Sequence, residues 1–171
     1  AQYHRWVKDV TTDQSSLFFA VFDLGKQAYL GVLSFLRIAR EAGSIEVGNI
    51  NFSESMQRSP TSTEAIYLLM QWAFENGYRR FEWKCNALNA PSRRSAQRLG
   101  FSYEGIFRQA LVVKGRNRDT AWFAMIDAEW PALKEAYRVW LDPSNFQQDG
   151  QQRERLGDLT SLVRAASDPS L

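Results

Sequence analysis

The chain holds one histidine, His4, and one cysteine, Cys85. One cysteine allows no internal disulfide and no cysteine-cluster metal site, and a single histidine speaks against a histidine-based metal site or a Ser-His-Asp triad. Chemistry must come from carboxylates, hydroxyls, backbone groups or a bound cofactor. Glu46 is the first candidate, a carboxylate in a mainly apolar strand run close to Gly48. If it faces a cleft, desolvation raises its pKa and it can act as general base toward an amine. If it faces water, it is an ordinary strand residue.

A second group is Asn89-Ala90-Pro91-Ser92. Asn89 can cap a helix by accepting from a first-turn amide, and Ser92 lies in that turn. Both could also present polar groups to a ligand. Between Gln57 and Glu64 the chain reads Gln-Arg-Ser-Pro-Thr-Ser-Thr-Glu. A loop feeding a helix N-terminus offers unpaired N–H groups and a positive dipole end, which suits pyrophosphate. Thr61 or Ser62 is the expected cap in the plain structural reading. The basic stretch Lys114-Gly115-Arg116-Asn117-Arg118 reads as a hairpin tip, solvated or facing an anion.

These residues need a scaffold. Residues 16–23 are dense in Phe and Val and read as a strand. Gly25 turns the chain into a second strand, 27–37, and Ala42-Gly43 into a third, 44–52, so an antiparallel meander is expected. Ala65, Leu68, Leu69, Trp72 and Ala73 then recur at helical spacing after Thr61-Ser62-Thr63, with Gly77 as the C′ residue. A strand over 80–86 carries Phe81, Trp83 and Cys85 on one face. A helix opens at Pro91-Ser92 and closes at Gly100. A strand over 101–113, a turn at Gly115-Arg116-Asn117, a strand over 120–127 and a helix over 132–141 complete the series. The order β-β-β-α-β-α-β-β-α implies an α/β (α+β) fold, a mixed sheet covered by helices. Residues 1–14 are expected as a lead-in and the end of a helix, 15–141 as the domain. Residues 142–171 are expected as a polar tail with a short helix around Leu156, Leu159, Val163 and Ala166.

Apolar residues make up 44% of the 171 and aromatics 13%, and the net charge is +2. That is the composition of one folded domain, with no strong pull on nucleic acid. No apolar run is long enough to cross a bilayer, and the first residues do not form a signal peptide. A cytoplasmic protein with no membrane partner is expected. The chain lacks an initiator Met and reads as a trimmed fragment.

Taken jointly, Asn89-x-x-Ser92, Arg98-Leu99-Gly100-Phe101, Glu104-Gly105-x-x-Arg108 and Lys114-Gly115-x-x-Arg118-Asp119 resemble the RimJ/RimL-like branch of the GNAT superfamily of N-acetyltransferases. Thr63-Glu64-Ala65, Glu82-Trp83-Lys84-Cys85 and Asp127-x-Glu129-Trp130-Pro131 fit the same branch. The resemblance runs from roughly Leu17 to Leu141. It implies a sheet splayed at its middle, acetyl-CoA as co-substrate in the split, no metal, and a primary amine as acceptor, either a small molecule or a protein N-terminus. On this resemblance, strand 44–52 binds the pantetheine and the acetyl carbonyl through backbone groups, with Gly48, Asn49 and Ile50 as its cofactor-binding residues. Gln57, Arg58, Ser59, Thr61, Ser62 and Thr63 form the pyrophosphate loop. Asn89 contacts the pantetheine arm, Ser92 sits close to the sulfur, and Arg94 joins them.

The implied mechanism is direct transfer. A neutral amine attacks the thioester, Glu46 is the expected base, backbone N–H groups stabilise the developing oxyanion, and Ser92 is the expected acid toward the thiolate. The chain departs from the branch in two places. Pro60 stands where the family has its first loop glycine and Ser62 at its Gly/Ala position, so Arg58, Ser59 or Thr61 must supply what the missing N–H does not. The family's first strand and two helices are reduced to about fourteen residues, so the N-terminal elements are missing or shortened. A non-catalytic acyl-CoA-binding or scaffold protein that kept the fold is the alternative, and a homodimer or peptide-binding module using the exposed splay is a third reading.

Overall fold

A computed structural model describes residues 2–13 and 15–171. Residues 1 and 14 of the expected lead-in lie outside the described residues. The chain forms two compact units, residues 1–78 and 79–171.

The first unit opens with helix α1 (Gln2–Thr12), then strands β1 (Ser16–Asp23), β2 (Ala28–Ala39) and β3 (Ser44–Phe52), and closes with helix α2 (Pro60–Glu75). The strands form the expected antiparallel meander, in the order β1-β2-β3. Alternation sorts their side chains between two faces. Phe19 meets Phe35 edge-on at 5.5 Å, and Phe35 meets Trp72 of α2 at 5.1 Å, so this face lies under α2. Phe18, on the opposite face, meets Trp6 of α1 edge-on at 5.5 Å.

Two bulges interrupt the β2–β3 ladder. At one, Arg37 takes a left-handed φ of 46°. At the other, Ser34 pairs with Gly48 and Val32 with Asn51, so Asn49 and Ile50 together oppose Leu33. Asn49 there has φ 51°. Asparagine tolerates this region because its short side chain can bond locally, and here its Nδ2 donates to Ser34 Oγ at 3.0 Å.

The second unit holds strands β4 (Arg80–Asn86), β5 (Ser102–Val113) and β6 (Arg116–Ile126), helices α3 (Ala90–Arg98), α4 (Trp130–Leu141) and α5 (Leu156–Ser161), and a short 3-10 turn at Pro143–Asn145. The strands pair antiparallel in the order β4-β6-β5. The expected turn at 115–117 begins one residue earlier. Lys114 and Gly115, at φ 51° and 74°, form a two-residue turn with Val113 paired to Arg116. That geometry matches the strand twist, so Arg116 to Asp119 lie in β6 rather than in a loop. Phe81, Phe101, Phe123, Leu133 and Tyr137 are fully buried. Gly100 follows α3 at φ 95°, and a Cβ there would meet Leu133 Cδ2 at 2.6 Å, so both conformation and space call for glycine.

Residues 142–171, polar in composition, are packed rather than loose. Thr160 Oγ1 donates to Arg98 O at 3.0 Å, Arg164 Nη1 to Gln97 O at 2.6 Å, and Tyr103 N to Ala166 O at 3.0 Å. Arg93 Nε donates to Asp168 Oδ2 at 2.7 Å, with both residues buried. The segment closes over the C-terminal end of α3 and the start of β5. Among the described residues no helix is long and apolar enough to cross a membrane.

Candidate active site

In the first unit, β3 carries Glu46 and the Asn49 bulge. Glu46 is 3% exposed, and its Oε1 accepts from Arg37 Nη1 at 2.7 Å. The left-handed bulge at Arg37 aims that guanidinium at the carboxylate, a contact regular β geometry would not give. Gly48 lies two residues along, under Leu36, whose Cδ2 would sit 2.8 Å from an added Cβ. Any larger residue would displace Leu36 or the strand. Asn49 and Ile50 sit in the bulge, where the regular ladder is broken and backbone groups are released from strand pairing.

The loop between β3 and α2 is held from within. Gln57 Nε2 donates to Phe52 O at 2.9 Å, Met56 is fully buried, and Arg58 is exposed at φ 58°. The N-cap of α2 is Ser59, not Thr61 or Ser62. The reason is Pro60, whose fixed φ and missing N–H suit the first helical position, which moves the cap to the residue before it. Ser59 Oγ accepts from Ser62 N at 3.3 Å and donates to Met56 O at 2.6 Å, while Ser62 Oγ donates to Ser59 O at 2.7 Å. Thr61 Oγ1 donates to Asp23 Oδ2 at 2.9 Å. The Lys26 amide and the Thr61 hydroxyl hold the Asp23 carboxyl below the usual range. Thr63 is buried inside the helix. The protons of all three hydroxyls are therefore committed within the fold. With no N–H at Pro60 and the Ser62 amide given to Ser59 Oγ, what the loop offers an anion is the other first-turn N–H groups and the Arg58 guanidinium.

In the second unit, Asn89 caps α3 with Oδ1, accepting from Ser92 N at 3.2 Å. Its NH2 group takes no part in the cap. Ser92 Oγ accepts from Trp83 Nε1 at 3.1 Å, which leaves the hydroxyl proton free to donate. On the same face lies the buried Cys85 thiol. Burial pushes that thiol up, and Ser92, the Arg93 and Arg118 charges and Trp83 act against the rise. Arg94 is exposed on α3. Sequence reasoning missed Arg37 as the partner of Glu46 and Trp83 as the partner of Ser92. Trp83 and Cys85 had been assigned to one strand face, and that is the face α3 covers; Arg37 depends on a bulge and left no local signal.

Two features of the first unit bear on whether it could hold acetyl-CoA. A bulge with a left-handed asparagine frees backbone on β3, and a capped helix start follows within eleven residues of it, counted from Asn49 to Pro60. Comparison with known proteins points the same way. A family model described as an acetyltransferase (GNAT) domain matches residues 1–102. A GCN5-related N-acetyltransferase from Brucella melitensis shares 48% sequence identity at a TM-score of 0.90, covering 93% of this chain and 72% of that protein. A GNAT-family protein from Chromobacterium violaceum shares 43% at a TM-score of 0.70, covering 75% of this chain and 65% of its own. A Vibrio cholerae structure described as a ribosomal-protein-serine acetyltransferase, at 21% identity and a TM-score of 0.61 over 73% of this chain and 72% of its own, is alike in fold. No curated protein matches the chain. With both the family model and relatives above 40% identity in agreement, the chain belongs to the GNAT acetyltransferase family.

Proposed function

We propose that this chain is an acetyl-CoA-dependent N-acetyltransferase of the RimJ/RimL-like branch, acting in the cytoplasm on a primary amine of a small molecule or protein N-terminus. The observation that carries this reading is the buried Glu46 carboxylate on β3, on the same strand as the Asn49 bulge. Acetyl-CoA supplies the thioester carbonyl when bound. Glu46 takes the proton that the amine sheds on attack. Ser92, its oxygen held by the Trp83 N–H, donates its proton toward the sulfur side. Gly48, Asn49 and Ile50 provide backbone groups to the acyl arm, and Asn89 and Arg94 supply polar groups at the start of α3. The amides of α2, with Arg58, face the pyrophosphate.

Isothermal titration with acetyl-CoA is expected to give saturable heat, and a thiol-release assay over a panel of primary amines is expected to give turnover. Heat without thiol release from any amine would favour the non-catalytic acyl-CoA-binding alternative, for which the internally committed loop hydroxyls speak. No heat would remove both. Ser92→Ala is expected to lower kcat on the order of 10²-fold with little change in KM for acetyl-CoA. It also strands the Trp83 N–H, so the melting temperature must be measured alongside; a full kcat would take the acid role from Ser92.

A further inference from the structure

Three hydrogen-bonding atoms on β6 are shut away from solvent with no hydrogen-bond partner among the described residues: Arg118 Nε, Thr120 Oγ1 and Trp122 Nε1. They occupy alternate positions of one strand, so they line one face of it. Thr120 is 7% exposed. Two of the atoms can only donate, and the third can. Buried polar atoms are almost always paired, so three orphans in a row on one strand call for a group that the protein itself does not supply.

The ladder beside them is opened. Phe107 pairs with Thr120 and Leu111 with Arg118, so three residues of β5 oppose the single Asp119. Gln109 in that bulge has φ 50°, and its N–H is held by Asp119 Oδ1 at 2.7 Å. Bulges of this kind re-aim side chains and end regular pairing next to functional sites. Phe107 stacks on Trp122 at 4.4 Å, and Lys84 Nζ lies 3.9 Å from the centre of the Trp122 ring. On this face Glu82 pairs with Arg80 and Lys84, and Arg80 also reaches Glu104. Arg118 has no ion pair among the described residues. Arg116 shares this face by the same alternation and likewise has no ion pair among the described residues, so the face is net positive and suits an anion such as a carboxylate.

We propose that Arg118, Thr120 and Trp122 form an acceptor-recognition site for a carboxylate, so that the amine this enzyme acetylates belongs to a carboxylate-bearing molecule of the amino-acid class. This rests on the acetyltransferase reading and names its substrate class. The two N–H groups and the hydroxyl donate to the carboxylate oxygens, and Arg118 balances the charge.

The test is binding, independent of turnover. A set of N-acetyl amino acids and their N-methylamides is titrated into the protein by calorimetry. The acids are expected to bind about 10- to 100-fold more tightly than the amides, the worth of a charge-assisted hydrogen bond. Arg118→Met is expected to bring that ratio below about 3, and the near-isosteric Thr120→Val to lower acid affinity about fivefold. Equal binding of acids and amides to the wild type, or a preference that survives in Arg118→Met, overturns the proposal. Loss of CoA affinity in Arg118→Met without any acid preference assigns the cluster to a cofactor phosphate and overturns it as well. Selective binding of the acids by a protein that releases no thiol leaves this site standing and sinks the acetyltransferase reading.

Discussion

Glu46→Gln is expected to lower kcat/KM by about 10²- to 10⁴-fold, the usual worth of a positioned general base. The substitution isolates the charge well. A glutamine oxygen can still accept from Arg37 Nη1, now 2.7 Å from Glu46 Oε1. The Arg37 side chain is 57% exposed, so losing its counter-ion leaves it in water. The stability change is expected to be small, because glutamine keeps the Arg37 bond and carries no charge to bury. Rate and stability are thus separable. An unchanged rate would dismiss Glu46 as the base.

Asp168→Ala is expected to be the most damaging single change to stability. Its carboxylate and the Arg93 guanidinium are both buried, and Arg93 also donates to Ala87 O at 2.9 Å. Removing one partner of a buried pair leaves an uncompensated charge, at about 3–5 kcal/mol. For a chain of this length the melting temperature should fall by roughly 6–20 °C. Burial alone would raise the Asp168 pKa, but bonds from the Ser170 amide and hydroxyl and from Arg93 outweigh it and hold the carboxyl below its usual range. A depressed carboxylate contributes its stability above about pH 4 and gives it up only as acidification passes the lowered pKa. The wild type should therefore lose stability more steeply than Asp168→Ala in that acid window. Parallel acid unfolding curves would refute the assignment.

Periodicity and punctuation in the sequence located β1, β3 and β4 to the residue, and the Asn89 cap followed from Asn-x-Pro-Ser. These features are local, set within a few residues by side-chain alternation, turn residues and the needs of a helix start. The errors were of two kinds. Thr61 and Ser62 were favoured as caps because hydroxyls usually cap, yet proline's preference for the first helical position decided the matter for Ser59. Residues 142–171 look solvated because their composition is polar, yet Arg93 reaches across 75 positions to Asp168. A contact of that span leaves no trace in local pattern. The same holds for Arg37 and Glu46: both are plain in the sequence, but only a left-handed bulge brings them together. The candidate base was thus legible as a residue type and the hydrogen bond that fixes it was not.

The bulge at Asn49 also bears on how this strand can change over generations. On one side of it the β2 and β3 partners are Ser34 with Gly48; on the other they are Val32 with Asn51. The extra residue shifts the phase of the strand by one. Loss of a single codon there would restore an unbroken ladder with Gly48 still opposite Ser34 and Asn51 still opposite Val32, and its cost would be the bulge itself with the backbone it frees. Point substitutions at Asn49 that tolerate a left-handed φ, glycine first among them, are expected to persist in a lineage, whereas one-residue insertions and deletions between Gly48 and Asn51 are expected to be purged.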